Sequence, residues 1–196
     1  MNKKIIGPTP YGSVGVIWAT TSRSPKIVRV LLSRPGAPAE VQASELYPDA
    51  PIASCSEIDA VGADMKRLLE GEPVAFSLDL AELRLCGKFQ QRVLRAEHQI
   101  PRGSVSTYRV IAAHLANPNG ARAVGNALAN NPFPLIVPCH RAIRSDRHLG
   151  GYQGGLGMKR ALLEMEGLAF DDTGRVACPH FHYERRSRIN HSGGRS

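Results

Sequence analysis

The tetrapeptide Pro138-Cys139-His140-Arg141 constrains this chain more than any other feature of its sequence. It follows the apolar run Leu135–Val137, in which two residues are β-branched, and such a run predicts a short buried strand. Pro138 has no N–H to give to a sheet, so the strand should end there and place Cys139 on a rigid support. Beside an imidazole and a guanidinium, the deprotonated thiol can act as a nucleophile, although free cysteine is more often a small buried hydrophobe.

Charge divides the chain into two unlike halves. Residues 1–86 carry 9 Lys and Arg against 10 Asp and Glu, whereas residues 87–196 carry 16 against 7. The basic second half indicates a polyanionic partner, although charge alone leaves DNA, RNA and acidic membranes open. No secretory signal or membrane-length apolar run is evident, and the four scattered cysteines form no C-x-x-C pair. We therefore expect reduced thiols and a cytoplasmic location.

The first half reads as a small α/β domain. Two runs rich in Val and Ile, residues 13–20 and 26–33, predict antiparallel strands, and a loop is expected from there to about residue 54. Ser56 can cap a helix that ends at Gly71, and the alternation over residues 76–80 predicts a third strand. No catalytic pattern is present in this half, which suggests a supporting role.

The second half is mainly helical. Helices are predicted over residues 88–97, from a cap at Ser104 or Ser106 to about residue 115, over 121–129 and over 155–166. The turn at residues 117–120 joins the second and third of these predicted helices at the spacing of a helix-turn-helix motif. The 121–129 helix consists mostly of residues with small side chains, so another backbone can approach it closely. That suits a DNA minor groove, but close packing against the preceding helix explains the composition equally well.

The order and spacing of several motifs resemble those of the O6-alkylguanine-DNA alkyltransferase family. These motifs are Phe89-Gln90, Ile100-Pro101-Arg102-Gly103, Thr107-Tyr108, Ala121-Arg122-Ala123-Val124-Gly125, Asn131-Pro132-Phe133-Pro134, Pro138-Cys139-His140-Arg141 and Gly150-Gly151-Tyr152. The resemblance covers about residues 86–167. It implies a ribonuclease H-like α/β domain over residues 1–85 and a mainly α alkyltransferase domain over 86–167, with a short strand leading into the cysteine. The basic tail, residues 168–196, is expected to be partly disordered.

The resemblance also implies a reaction, which is direct-reversal DNA repair. An alkyl group would pass irreversibly, once per chain, from O6-alkylguanine or O4-alkylthymine in double-stranded DNA to Cys139. Neither a cofactor nor a metal is implied, and the protein is expected to act as a monomer that flips the damaged base out of the duplex.

Each catalytic task falls to a residue that is present in the chain. By resemblance, His140 would take the thiol proton through a water, and Glu166 would orient and stabilise that imidazole. A carboxylate late in a helix is unfavourable, so a cationic partner for Glu166 is expected. Tyr108 would donate a proton to the purine ring, and Asn131 would tie the DNA-binding helices to the cysteine strand.

The remaining implied residues bind DNA or the flipped base. Arg122 would fill the stack that the base vacates, although a lone helical arginine can equally contact phosphate. The other DNA-binding residues would be Ala121, Ala123, Gly125 and Ser145. The base pocket would consist of Pro134, Gly150, Tyr152, Gln153, Gly154 and Lys159. Gln153 departs from the small hydroxyl residue common at this position in the family, which bears on the range of alkyl groups accepted.

Two other functions remain compatible with part of the sequence. A non-catalytic sensor of alkylated bases would use the same DNA-binding features, but such sensors lack the acceptor cysteine. A Cys-His hydrolase would explain the thiol and imidazole but not Tyr108, Arg122 or the bare helix. Cys178, His180 and His182 could ligate zinc, but no fourth ligand is evident.

Overall fold

The computed structural model describes residues 1–21 and 24–184, and its first half is built on an antiparallel sheet. The strands β1 (Asn2–Ile6), β2 (Val14–Thr20) and β3 (Pro25–Leu32) lie in the order β1-β2-β3. The two predicted strands are confirmed as β2 and β3. Strand β1 was missed, because two lysines interrupt its apolar pattern, as is common in edge strands.

Helices cover both faces of this sheet. On one face, Ile17 and Leu31 pack against Ala39 and Ala43 of α1 (Ala39–Leu46). On the other face, α2 (Ser56–Leu69) buries its apolar side against the strands. The prediction of a loop up to residue 54 is therefore wrong for the residues that form α1. Pro38 directly precedes that helix, where a missing N–H removes no helical hydrogen bond.

Two further expectations for the first half are wrong. Ser56 does not cap α2, since it lies inside the helix, and its hydroxyl hydrogen bonds the Glu57 carboxylate. Residues 76–80 form no strand, because Leu78–Leu80 make a 3-10 turn capped by the hydroxyl of Ser77. Short apolar alternation does not by itself decide between strand and turn, and this segment meets β3 through an isolated bridge between Ile27 and Ala81 instead of a full ladder.

The second half contains α3 (Lys88–His98), α4 (Tyr108–His114), α5 (Ala121–Ala129) and α6 (Gly155–Met165), which confirms the predicted helices. Two short strands, β4 (Ser106–Thr107) and β5 (Ala142–Ile143), pair in parallel. The predicted cap at Ser104 or Ser106 is wrong. Thr107 caps α4, and its hydroxyl accepts a hydrogen bond from the Val110 N–H at 3.1 Å.

The tail folds back onto the second half as far as residue 184. Strands β6 (Ala169–Phe170) and β7 (Val176–Ala177) form a hairpin, and Cys178 packs in a small apolar cluster with Val105 and Leu163. The disorder predicted within the tail, after about Tyr183, falls on residues 185–196, which lie outside the described residues.

The largest hydrophobic cluster draws buried residues from both halves of the chain and continues beneath Cys139. A backbone hydrogen bond of 2.8 Å from the Val30 N–H of β3 to the Pro132 carbonyl joins the sheet to the segment that leads to the cysteine. Among the described residues, no helix is both long and apolar enough to cross a membrane.

Candidate active site around Cys139

A tight buried turn, not the predicted short strand, leads into Cys139. Prolines bracket the run at both ends, and Leu135 has a left-handed backbone with φ of 74°, so the run cannot extend. The Val137 N–H donates to the Phe133 carbonyl at 2.8 Å and closes the turn. The 3-10 turn Cys139–Arg141 follows at once. The site is therefore held by a folded loop whose apolar side chains are all buried.

Asn131 supplies the hydrogen bonds that a neighbouring strand would otherwise make to this turn. Its side-chain amide donates to the Val137 carbonyl at 3.2 Å, and its oxygen accepts from the Phe133 N–H at 2.9 Å. Asn131 is 1% exposed and directly follows the end of α5. The residue expected to tie the DNA-binding helices to Cys139 therefore does so through the backbone of the turn.

The Cys139 side chain lines a cavity of about 290 Å³, close to the lower limit of about 300 Å³ for small-molecule sites. The walls come from α4, α5, the loop before α6 and the first half of the chain. They consist of Arg34, Tyr108, Gly125, Leu128, Ala129, Cys139, Gly151, Tyr152 and Gln153. A planar group that entered this space would meet the thiol between two tyrosines.

Burial raises the pKa of Cys139 to about 11, and the negative charge of Glu97 adds to the rise. A hydrogen bond from Asn131 and the positive charge of Lys159 act in the opposite direction but do not outweigh burial. Burial therefore outweighs the cationic groups near Cys139, and the thiolate is not the resting form. The thiol is protonated at neutral pH and needs a base to remove its proton.

His140, the next residue in the chain, is a buried imidazole. It is 1% exposed, and its Nε2 lies 2.9 Å from Glu166 Oε1. Burial lowers the pKa of His140 below its usual 6.5, against the opposing effect of Glu166, so the imidazole is neutral at neutral pH. The second nitrogen, Nδ1, is buried and has no hydrogen-bond partner within residues 1–21 and 24–184. That nitrogen is free to accept a proton.

Arg141 is the cationic partner expected for Glu166. Its guanidinium donates from Nη2 to Oε1 at 2.7 Å and from Nε to Oε2 at 3.0 Å, and Nη1 is held by the Ile100 carbonyl at 2.6 Å. Burial alone would raise the pKa of Glu166, but hydrogen bonds from His140 and Arg141 outweigh it and hold the pKa at about 2. Glu166 is therefore a permanent carboxylate that orients His140 from the end of α6.

Tyr108, the first residue of α4, faces the loop before α6. A Cβ on Gly150 would stand 2.6 Å from the tyrosine oxygen, and Gly150 has a φ of 67°, so only glycine fits there without displacing Tyr108. Burial raises the pKa of Tyr108 to about 12, with Glu97 and Cys139 adding to the effect. The phenol therefore keeps its proton until a strong base is near.

The other residues expected in the base pocket divide into two groups. Tyr152 and Gln153 line the cavity, and the Gln153 amide donates to the carbonyls of Asn131 at 2.7 Å and Ala129 at 3.1 Å. Gln153 thus bonds the loop to the end of α5. Pro134 is buried in the turn and Gly154 packs against Met158, so neither residue is among those that line the cavity.

Lys159, also expected in the pocket, is fully buried below the loop and does not line the cavity. Its amine donates to the carbonyls of Ala142 and Leu149, both at 2.6 Å, and of Gly151 at 3.3 Å. Lys159 therefore acts on the site through the backbone on either side of Gly150.

The residues expected to bind DNA lie at the surface near the cavity. Arg122 and Ala123 of α5 and Ser145 are exposed, and Ala121 is half-buried. Gly125 lines the cavity, and a Cβ there would meet nothing within 4 Å. Close packing against the preceding helix therefore does not account for Gly125. The small residue leaves α5 bare at the cavity mouth.

Sequence reasoning missed Arg34 as a residue of this site. It follows β3, is exposed, and lines the cavity from the first half of the chain. In the sequence, Arg34 is simply a basic residue in a Pro- and Gly-rich turn, and such residues are common at any protein surface. Only the packing of the two halves brings it to Cys139.

Comparison with known proteins places this site in a family. A family model described as the DNA-binding domain of 6-O-methylguanine DNA methyltransferase matches residues 88–168, a stretch that contains all of the site except Arg34. The chain is 45% identical over 107 residues to the methylated-DNA--protein-cysteine methyltransferase of Methanothermobacter thermautotrophicus, over 55% of this chain and 60% of that protein. The protein of the same name from Mycolicibacterium paratuberculosis is 40% identical over 59% of this chain and 67% of its own length.

Solved structures agree with the sequence relatives. OGT of Mycobacterium tuberculosis in complex with DNA matches with a TM-score of 0.65 and 30% identity, over 85% of this chain and 92% of that one. The O6-methylguanine-DNA methyltransferase of Pyrococcus kodakaraensis, at 22% identity and a TM-score of 0.66, shares the fold. The chain belongs to the 6-O-methylguanine DNA methyltransferase family. It spans 60% of the M. thermautotrophicus relative and 48% of the one from Haemophilus influenzae.

Proposed function

We propose that this protein repairs alkylated DNA by direct reversal, moving an alkyl group from guanine O6 to the sulfur of Cys139. The observation that carries the proposal is the cavity at Cys139. One buried thiol, two tyrosines and small residues of α5 line a space of about 290 Å³, and α5 also carries the exposed Arg122. The relatives named for methylated-DNA–protein-cysteine methyltransferase activity support the same reaction.

The transfer follows from the state of each group. As sulfur bonds to the alkyl carbon, the bond from that carbon to guanine O6 breaks, and its electron pair remains on the purine. His140 takes the thiol proton at Nδ1, and the Glu166 carboxylate stabilises the resulting imidazolium through Nε2. Tyr108 gives its proton to the purine, and the proton held by His140 then returns through water to the Tyr108 oxygen, so that the thiol has lost one proton and the purine has gained one. The thioether formed has no leaving group that water could displace, so each chain reacts once.

The surface around the cavity fits duplex DNA. Arg122, exposed on α5, would enter the duplex and fill the stack from which the base is withdrawn. The small residues Ala121, Ala123 and Gly125 would let the helix approach the minor groove closely. Arg34 at the cavity mouth would contact a phosphate next to the flipped nucleotide, and Ser145 would make a further backbone contact.

We propose that residues 1–85 act as a support for the site. The sheet packs behind the turn at Asn131–Val137 through the shared hydrophobic core and the hydrogen bond from Val30. Residues 86–167 would then carry DNA binding and chemistry, and Tyr183, in the segment that follows the β6–β7 hairpin, would brace α3 through its hydrogen bond to the Ala96 carbonyl. The protein would work as a monomer in the cytoplasm.

The test is the stoichiometry of repair. Duplex DNA carrying O6-methylguanine is supplied in excess, and repaired guanine is counted against protein over time. We expect the reaction to stop at one guanine per chain. Continued release of repaired DNA beyond one equivalent would refute a stoichiometric transfer and favour a hydrolase. Cys139→Ser, which keeps the size of the side chain, is the control and should repair none.

A further inference from the structure

Glu97 is a buried acid for which the proposed reaction has no use. It lies on the inward face of α3 and is 0% exposed, and neither carboxylate oxygen has a well-formed hydrogen bond in the described part of the chain, although the Ala142 N–H lies close enough to lower the pKa of the acid. Burying such a group without a partner is costly, and a side chain of leucine would fill the same core position without that cost. A buried carboxyl at this place therefore indicates a specific role.

Lys159 of α6, also 0% exposed, is the positive group whose charge acts most strongly on Glu97. Both groups meet the Ala142 backbone, since Lys159 donates to its carbonyl and its N–H acts on the Glu97 carboxylate. A lysine ammonium has three N–H donors, and here all three are used, by the carbonyls of Ala142, Leu149 and Gly151. A neutral amine has only two. The hydrogen bonds to Leu149 and Gly151 hold the peptide on both sides of Gly150, on which the Tyr108 hydroxyl rests. The position of the loop thus depends on the charge of Lys159.

Glu97 interacts electrostatically with several ionisable groups around the site. Lys159 and Arg141 stabilise its charged form, and its charge in turn raises the pKa of Cys139, Tyr108 and Tyr183. Burial raises the pKa of Glu97 to about 8. Burial also lowers the pKa of Lys159 to about 8, while the charges of Cys139 and Glu97 act against that fall. The acid and the base therefore titrate in the same range and are coupled.

We propose that Glu97 is a positioning residue, which supplies the counter-charge that keeps Lys159 protonated and so holds the Leu149–Gly151 loop beneath Tyr108. As the pH rises, Glu97 ionises and its charge opposes the loss of the Lys159 proton. Without Glu97, Lys159 becomes a neutral amine at a lower pH, and one loop carbonyl loses its donor. The inference rests on the proposed function only in taking this loop as a wall of the alkyl-acceptor cavity.

The first experiment titrates the lysine side chains by NMR, without DNA, in the wild type and in Glu97→Gln. The amide matches the acid in size but carries no charge. We expect one lysine of the wild type to titrate well below the others, and Glu97→Gln to move it down by about one pH unit. Glu70→Gln, which removes the exposed partner of Lys66, is the matched control and should leave that lysine unchanged. An unmoved lysine in Glu97→Gln would overturn the proposal.

A second measurement follows the single-turnover rate of transfer from O6-methylguanine DNA against pH. The alkaline decline in rate should begin about one pH unit lower in Glu97→Gln, with little change at pH 6. Superimposable profiles would contradict the role of Glu97. If the wild type transfers nothing, the proposed function fails while the titration of Lys159 still decides the proposal.

A third measurement needs no variant and covers the case in which Glu97→Gln does not fold. The Glu97 carboxyl carbon and the amine of Lys159 are titrated together in the wild type. The proposal requires two shared steps seen at both groups. Two independent single-proton curves would refute it.

Discussion

Cys139 is a nucleophile that the resting protein keeps protonated. Its pKa of about 11 and the lowered pKa of His140 together mean that a neutral thiol faces a neutral base. Such a site does not hold a thiolate at neutral pH, and in the proposed reaction the thiol would lose its proton only as the sulfur bonds to the alkyl carbon. The Glu166 carboxylate, with a pKa of about 2, is charged throughout this process.

His140 and Glu166 should therefore act as one unit. Replacing either by Gln removes the same hydrogen-bonded base, so the double variant should be about as slow in transfer as the slower single variant. Single-turnover rates of the three proteins check this, with thermal unfolding as the measure of folding. Glu164→Gln is the control, since this exposed residue of α6 pairs only with Arg160 in the described structure. Fully additive losses would show that the two residues do not share a network.

Glu97 should make the stability of the fold depend on pH. Its pKa is raised from about 4.5 in the unfolded chain to about 8 in the folded protein, so the folded state holds the proton more tightly. The contribution of Glu97 to stability is fully present below about pH 4.5 and should be lost progressively as the pH rises to about 8. Urea unfolding from pH 5 to 8 should show that decline in the wild type and little of it in Glu97→Gln. Equal slopes in both proteins would contradict the raised pKa.

At the scale of elements, periodic patterns predicted the long helices and the two central strands well. The exceptions have local physical causes. The strand expected before Cys139 is a turn, because Asn131 satisfies the backbone that a strand neighbour would have bonded. Helix α1 was missed because its Pro- and Gly-rich approach signals a loop. Tertiary packing places Arg34 at the cavity and buries both Glu97 and Lys159. The periodicity of apolar residues along the sequence gives no information about such packing.

Helix α5 offers a sharp test of the DNA-binding role. If Arg122 fills the vacated stack, Arg122→Ala should slow transfer strongly on a well-paired duplex and little on single-stranded DNA, because unpairing costs a few kcal/mol only in the duplex. The rates are compared at saturating protein. Arg109→Ala, which removes an exposed arginine of the neighbouring α4, should change both substrates alike. Equal losses on both substrates for Arg122→Ala would refute the stack-filling role.

At the scale of the whole molecule, charge and chemistry lie in the same half of the chain. Residues 87–196 hold 16 basic and 7 acidic residues, whereas residues 1–86 are nearly neutral. Binding to duplex DNA should therefore weaken steeply as salt rises and depend little on sequence, since phosphate contacts dominate. Fluorescence anisotropy at salt concentrations from about 50 to 200 mM measures this. A flat response would contradict binding through the basic half.

Transfer of the alkyl group to Cys139 can be seen in the intact mass of the protein after incubation with duplex DNA that carries O6-methylguanine. We expect a gain of one methyl group per chain, mapped by peptide analysis to Cys139, and no gain in Cys139→Ala. An unchanged mass beside repaired DNA, or a methyl group on Cys55, Cys86 or Cys178, would contradict it.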